Sequence, residues 1–444
     1  MNPKIIVLDD DPTGSQTVHS CLLLTRWDVA TLKTALADAA PLFFILTNTR
    51  GMDAARAAAV TREACVNLKV ALLDYSGPVL FVSRSDSTLR GHYPIETDVM
   101  NEVLGPFDAT LLTPAFFEGG RVTRDSTHYL LVDGKPVPTH ATEFARDSVF
   151  GYTTAYLPDY VAEKTAGRVA AVDVARLTLA DLRANRAGEW LASLANNAVG
   201  AVDGESPDDY RIFAGAVLRA AADGKRLLFR SAASLLTALA KLPPQPVAAE
   251  AFASLVRDAR PGAVIVGSHV AKTTAQLSQL LKERGVVGLP LDVARLPAER
   301  VAVVHELTAS IAHAHAHGLT PVVFTSRTEL GFASTAERLA FGEAVSGTLM
   351  DVVQRLPETL GFLISKGGIT SNDVLSTGLA LTASRVLGQI LPGVTVVQTP
   401  PGHRLPQLPV VIFPGNVGGD GALAEAYRRL APSRGEAGPA KLAA

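Results

Sequence analysis

Short apolar, β-branched runs alternate with helical stretches along most of this chain, which predicts an α/β protein of two domains. Each domain is expected to be a mainly parallel sheet flanked by helices, with the active site in the interdomain cleft. Two further observations support this: a proline-rich break near the middle, and polar or glycine-rich clusters at the ends of the strand-like runs.

The first run, Ile5 to Leu8, is followed directly by Asp9, Asp10 and Asp11 and a Pro-Thr-Gly turn. Then come "CLLLT" (21–25), "LFFIL" (42–46), "VLFVS" (79–83) and "ATLLT" (109–113), with an Ala-rich helical stretch over 53–73. Segment 120–150 is polar and reads as a hairpin and loop. Strand-like runs resume at "RVAAVDV" (168–174), "AVGAVD" (198–203) and "RLLFRS" (226–231). The break "KLPPQPVAAE" (241–250) reads as a linker. Beyond it lie "AVIVGS" (263–268), "PVVFTS" (321–326), "GFLISKGG" (361–368), "TVVQT" (395–399) and "PVVIFPGN" (409–416). The expected domains are 1–245 and 250–432, followed by a flexible tail at 433–444.

The charge balance, 41 Lys plus Arg against 43 Asp plus Glu, leaves no basic footprint for nucleic acid. No apolar run approaches the roughly 20 residues that span a bilayer, and the first residues lack a signal-peptide pattern. Cys21 and Cys65 form neither a disulfide framework nor a CxxC pair, and read as buried thiols. A cytoplasmic protein with small-molecule partners is expected, its oligomeric state unspecified. In "HAHAHG" (313–318) only His313 and His317 share a helix face, with no acid or Cys nearby, so no metal site is assigned.

In the first domain, four strand ends carry polar clusters: Asp9 to Asp11 with Thr13 and Gly14; Thr47 to Arg50; "RSDSTLRGHYPIE" (84–96); and "PAFFEGGRVTRD" (114–125). In a parallel sheet these ends converge on one edge. Arg50, Arg90 and Arg121 would face the aspartates there, and guanidinium groups with carboxylates and hydroxyls suit a polyhydroxylated acid. The alternative is that each arginine pairs with a neighbouring Asp and binds no ligand. In the second domain, "VGSHVAKTTAQ" (266–276), "SKGGITSNDV" (365–374) and "FPGNVGGDGAL" (413–423) run from a strand through Gly or Ser into a helix. That geometry presents backbone N–H groups to a phosphate. Neither GxxxxGK[ST] nor GxGxxG is present, so a P-loop enzyme and an ordinary Rossmann dehydrogenase are not expected.

Together, "LDDDPTGSQ", "NTR", "RSDSTLRG", "TPAFFEGGR", "VGS", "KGGITS" and "PGNVGG" occur in the order of a known family. The chain resembles the four-carbon acid sugar kinases, two-domain proteins long catalogued as a family of unknown function, over most of its length. The resemblance implies an ATP-dependent kinase acting on the terminal hydroxyl of a threonate, erythronate or oxo-tetronate type acid, with Mg²⁺. It places Asp10, Arg50, Asp86, Ser87, Thr88 and Arg90 at the acid. It places Ser268, Ser365, Lys366, Gly367, Gly368, Gly415 and Gly418 at the nucleotide. Two positions depart from the usual motifs: Pro12 stands where Leu is usual, and Ile369 where Glu is usual. On this reading Arg50 and Arg90 anchor the substrate carboxylate. Asp10 is the first candidate for the group that takes the hydroxyl proton and Asp86 the second. Lys366 and the glycine turns hold the phosphates. The competing readings are a sugar-acid dehydrogenase or isomerase and a non-enzymatic sugar-acid binding protein.

Overall fold

The structure, a computed structural model, describes residues 2–431 apart from 328–330, 333 and 416; the tail expected at 433–444 lies outside the described residues. By its contacts the chain divides into two units, Met1–Pro244 and Gln245–Ala444.

The first unit is built on β1 (Lys4–Asp9), β2 (Leu22–Leu24), β3 (Leu42–Leu46), β4 (Val79–Arg84), β5 (Ala109–Thr113), β6 (Arg121–Arg124), β7 (Thr127–Val132), β8 (Lys135–Pro138), β9 (Ala175–Leu177), β10 (Ala198–Val202) and β11 (Leu227–Ser231). Its main sheet runs β2-β3-β1-β4-β11-β5-β10-β9. Every pairing in it is parallel. Strands buried on both faces read as unbroken apolar runs, and all six residues of β1 are buried. The Ala-rich stretch is the helix Ala54–Ala71, whose N-cap Asp53 accepts from the Arg56 N–H at 2.9 Å. Strands β6 to β8 form a separate antiparallel hairpin sheet within 120–150.

The second unit contains β12 (Ala263–Val266), β13 (Val286–Leu291), β14 (Thr320–Thr325), β15 (Leu363–Lys366), β16 (Ala383–Leu391), β17 (Val394–Gln398) and β18 (Pro409–Phe413). The order β13-β14-β12-β15-β18 is parallel. Strands β17 and β16 extend it antiparallel. One apolar core cluster of this unit includes Phe252, Val264, Phe362, Ile364, Val411 and Tyr427.

Each parallel sheet has a switch point beside its first strand. After β1 the chain moves through β2 to β3 on one side, then crosses to β4 on the other. In the second unit β12 leads to β13 and β14 on one side, then to β15 on the other. Such switch points open a crevice at the carboxyl ends of the strands.

The structure corrects the sequence reading in three places. The run 168–174 is no strand: it holds a short 3₁₀ turn, Ala171–Asp173, and Val172 is 92 % exposed. Strands β13 and β16 were not expected, nor was β9, which begins only after that run. In β13, Gly288 and Pro290 interrupt a half-exposed run, and β16 alternates buried and half-buried residues as an antiparallel strand does. Cys21 and Cys65 are buried and not joined in a disulfide, as expected.

Because the Val172 side chain meets solvent, Val172→Asp should leave the melting temperature within about a degree of the parent, a surface substitution staying within roughly 0.5 kcal/mol. Thermal melting checks this, and a loss of several degrees would mean that the segment packs.

Candidate active site

The carboxyl ends of the first unit's central strands are level. Asp9 pairs with Leu46 and Arg84, Arg84 with Ser231, and Ser231 with Thr113. Asp10 follows β1 at the switch point and is only 1 % exposed. Burying a carboxylate there requires a partner, and Arg50 supplies it side-on. Its Nε donates to Asp10 Oδ2 at 3.1 Å and its Nη2 to Oδ1. Ser85 Oγ also donates to Asp10 Oδ2 at 2.6 Å, so both oxygens are engaged. Arg50 Nη1 lies 3.4 Å from Asp11. Burial opposes the Arg50 charge, but Asp10 and Asp11 outweigh it and raise its pKa well above the usual value.

Asp9 lies deeper and has little company: Arg84 Nη1 is 3.5 Å from its Oδ1, and its buried Oδ2 has no partner. The Gly14 backbone rests on this carboxylate, where a Cβ would come within 1.8 Å of Oδ2. Burial pushes the Asp9 carboxyl up to about 8; Arg84 opposes the rise, and Asp10 and Asp11 add to it.

The loop 85–91 forms the other bank of the switch point. Three successive carbonyls in it are held from below: His128 Nε2 donates to Ser87 O at 2.8 Å, Tyr152 OH to Thr88 O at 2.7 Å and Tyr160 OH to Leu89 O at 2.7 Å. The donation from Nε2 leaves His128 Nδ1 to accept from Thr123 Oγ1 at 2.9 Å. Burial holds this ring neutral, with its pKa down at about 4. Leu89 (φ 67) and Gly91 (φ 116) give the loop its sharp course. A Cβ at Gly91 would lie 2.4 Å from Ser85 Oγ and 3.0 Å from Asp10 Oδ2, so only glycine lets the loop close on Asp10.

Within this loop Arg90 Nε donates to Asp86 Oδ2 at 2.8 Å, Arg90 Nη1 lies 3.5 Å from Asp147, and Thr88 Oγ1 also donates to Asp86 Oδ2. Asp86 Oδ1 and Ser87 Oγ have no protein partner among the described residues. Burial works to raise the Asp86 pKa, but Arg50 and Arg90 outweigh it and hold the carboxyl well below the usual range. Behind the loop, Arg230 Nη1 donates to Glu96 Oε2 at 2.6 Å and Thr49 Oγ1 to Glu96 Oε1 at 2.5 Å. Arg121, at the start of β6, donates to Gly119 O. The structure thus gathers Asp10, Arg50, Asp86, Ser87, Thr88 and Arg90 on one edge. His128, Arg230, Tyr152 and Tyr160 escaped the sequence reading; Arg84, Ser85 and Glu96 lay within the quoted cluster 84–96 without a role of their own, and Arg230 in the strand-like run 226–231.

In the second unit the switch point opens into a cavity of about 950 Å³. Ser268, Gly367, Gly368 and Gly415 line it. Gly367 has φ 115, a conformation that suits glycine. Two helices begin at the wall, Ala271–Leu280 and Gly368–Asp373, and neither has a side-chain cap. Free N–H groups therefore point inward. Lys272 and Arg338 add positive charge, and Val270, Phe332, Phe341, Val345, Leu349 and Ile369 supply an apolar wall. The other expected residues stand behind this lining. Lys366 is fully buried, and its Nζ donates to Pro414 O and, at 3.2 Å, to Gly415 O. Burial, with Lys272 nearby, brings its pKa down to about 7. Ser365 Oγ is buried without a partner. Gly418 (φ 78) sits in a turn that Gln276 Nε2 holds through Val417 O at 2.9 Å and Gly419 O at 3.0 Å. Among the described residues no Asp or Glu lines the cavity, and there is no group of three or more potential metal ligands. No helix among the described residues is long and apolar enough to cross a membrane.

Residues 5–239 match the family model of a sugar-binding N-terminal domain, and residues 263–423 that of a nucleotide-binding C-terminal domain. Among curated proteins, the chain is 30% identical over 183 residues to a D-erythronate kinase of Heliobacterium modesticaldum, covering 39% of this chain and 38% of that protein. It is 31% identical over 164 residues to a D-threonate kinase of Bordetella bronchiseptica, covering 35% of this chain and 38% of that one. The match thus spans well under two thirds of either relative. Among solved structures, a Haemophilus influenzae protein of the DUF1537 family superposes with a TM-score of 0.66 at 18% identity, covering 96% of this chain and 100% of that one. A Salmonella typhimurium LT2 protein gives 0.69 at 19%, covering 96% and 98%. At such identity the likeness shows the fold alone.

The deep carboxyl of Asp9 gives a test by pH. Its folded pKa, about 8, lies above the ordinary 3.8, so the folded state keeps a proton that the unfolded chain has lost. Stability then falls as pH rises from about 4 to about 8. Asp9→Asn has no such proton. Its melting temperature relative to the parent should climb across that window, and parallel curves would show that Asp9 is ionised in the fold.

Proposed function

The chain belongs to the family that pairs a sugar-binding N-terminal domain with a nucleotide-binding C-terminal domain, and we propose that it is an ATP-dependent kinase of a four-carbon sugar acid, such as threonate, erythronate or an oxo-tetronate, acting on the terminal hydroxyl. The observation that carries this is the difference between the two switch points. One offers carboxylates, hydroxyls and guanidinium groups for a small polar acid. The other offers an apolar cavity with two uncapped helix starts, suited to a purine base with a phosphate chain. The names of the two curated relatives support the same reaction class.

Phosphoryl transfer asks mainly for positioning and charge stabilisation. Asp86 has an oxygen without a protein partner and is the group to accept the reacting hydroxyl, with Ser87 Oγ beside it in sequence. Asp10, whose oxygens are engaged by Arg50 and Ser85, holds those groups in place. This reverses the order in which the sequence ranked the two acids. Thr88 and Arg90 orient Asp86. In the second unit, Ser268, Gly367, Gly368 and Gly415 contact the phosphates, while Lys366 fixes the Pro414–Gly415 turn from behind. Among the described residues no acid lines this cavity, and Mg²⁺ would arrive on the nucleotide's phosphates.

A panel of four-carbon acids assayed for ATP consumption and phosphorylated product tests the reading, and no turnover with any acid would overturn it. Asp86→Asn should lower kcat by roughly a hundredfold or more while both ligands still bind. Gly367→Val should abolish nucleotide binding in calorimetry and leave acid binding intact. Loss of acid binding in Gly367→Val would mean that the ligands are wrongly divided between the units.

A further inference from the structure

The arginines first assigned to the substrate carboxylate are already occupied. Arg50 is spent on Asp10 and Asp11, and Arg90 on Asp86 and Asp147. Arg84 and Arg230, both buried, have acids of their own: Arg84 Nη1 lies 3.5 Å from Asp9 and 4.0 Å from Asp10, and Arg230 Nη1 2.6 Å from Glu96. Arg121 differs from all four. Among the described residues it forms no ion pair, and its recorded hydrogen bond is from Nη1 to the backbone carbonyl of Gly119. Its Nε is buried without an acceptor and its Nη2 has no protein partner, so this edge of the guanidinium is unpaired, with Nη2 rather than the enclosed Nε left to meet an anion.

The residue is held where that edge would matter. The loop after β5 is closed by a double backbone bond, Phe116 N–H to Arg121 O at 2.9 Å and Arg121 N–H to Phe116 O at 2.8 Å. Ser234 Oγ accepts from the Phe117 N–H at 3.0 Å and fixes the loop further. The Phe116 ring lies 6.0 Å from the guanidinium carbon. The loop follows β5, whose last residue Thr113 pairs with Ser231 on the same strand-end edge as the loop 85–91, and the charges of Asp86, Arg90 and Glu143 reach Arg121. A largely desolvated guanidinium with no carboxylate in contact is costly unless a ligand provides one.

We propose that Arg121 is the residue that recognises the carboxylate of the acid, while Arg50 and Arg90 shape the charge network around it. The proposal rests on the sugar-acid reading of the first unit and names the group that makes an acid the substrate rather than a neutral polyol.

The test compares Arg121→Gln and Arg121→Lys with the parent chain, using threonate and erythronate against the matching tetritols. Direct binding is read by calorimetry, turnover by phosphate transfer and folding by thermal melting. Arg121→Gln should weaken acid binding and raise its KM at least tenfold, the scale of a lost charge-assisted pair. Tetritol binding and the KM for ATP should be unchanged, so that preference for the acid collapses. Arg121→Lys should recover part of that preference. Acid binding unimpaired in a folded Arg121→Gln chain would overturn the assignment, as would equal losses for acid and tetritol. A parent chain that binds the acid but transfers no phosphate would sink the kinase reading and leave the anion site standing. A parent chain that binds neither acid overturns both.

Discussion

The ion pair between Asp10 and Arg50 is the constraint on which the first unit's site depends. A carboxylate at the end of a central strand, almost wholly removed from water, survives only with a partner that satisfies it geometrically as well as electrically. Arg50 does so from the 3₁₀ turn Thr49–Gly51 after β3, which Asn48 enters in the left-handed region with φ 53. The pair also stitches backbone to backbone, since the Arg50 N–H donates to Asp10 O at 3.2 Å and the Asp10 N–H to Arg84 O at 3.3 Å. The ends of β1, β3 and β4 are thereby fixed to one another. Ser85, Asp11 and the close passage of Gly91 follow from where Asp10 is held.

That anchoring explains why the loop 85–91 can be both polar and rigid. Leu89, Tyr152 and Tyr160 belong to one apolar cluster, so the loop is pinned by its own Leu89 and by hydroxyls reaching up from that cluster. Its free polar atoms, on Asp86 and Ser87, are presented by backbone with little freedom left to lose on binding. The second unit uses the same logic with different chemistry. Its fully buried Lys366, unsuited to facing a ligand, ties the end of β15 to the turn after β18 and so shapes the cavity's glycine rim.

Much of this was legible in the sequence, and the limits have physical causes. Strand ends at Asp9, Leu46, Arg84 and Thr113 follow from apolar runs that stop at polar clusters, and a parallel sheet brings such clusters to one edge. Residue types and their convergence could be read; which charge satisfies which could not. Arg90 and Asp86, four residues apart, were open to pairing locally or around a ligand, and the structure shows the local pair. The tyrosines and His128 that support the loop come from distant segments and carry no local signal. Lys366 next to two glycines reads as a phosphate ligand, but the last position of β15 turns its side chain inward. Val172 lies in an apolar run without the burial that would make it a strand.

A double-mutant cycle on the central pair tests the account most directly. Asp10→Asn, Arg50→Met and the double variant would be compared by chemical denaturation and by calorimetry with the acid. Each single change strands a buried partner, so each should cost about 3–5 kcal/mol of stability, and the double change should cost no more than either alone. All three variants should lose acid binding while keeping nucleotide binding. Additive stability losses, or single variants that bind the acid like the parent, would contradict the claim that this pair builds the site.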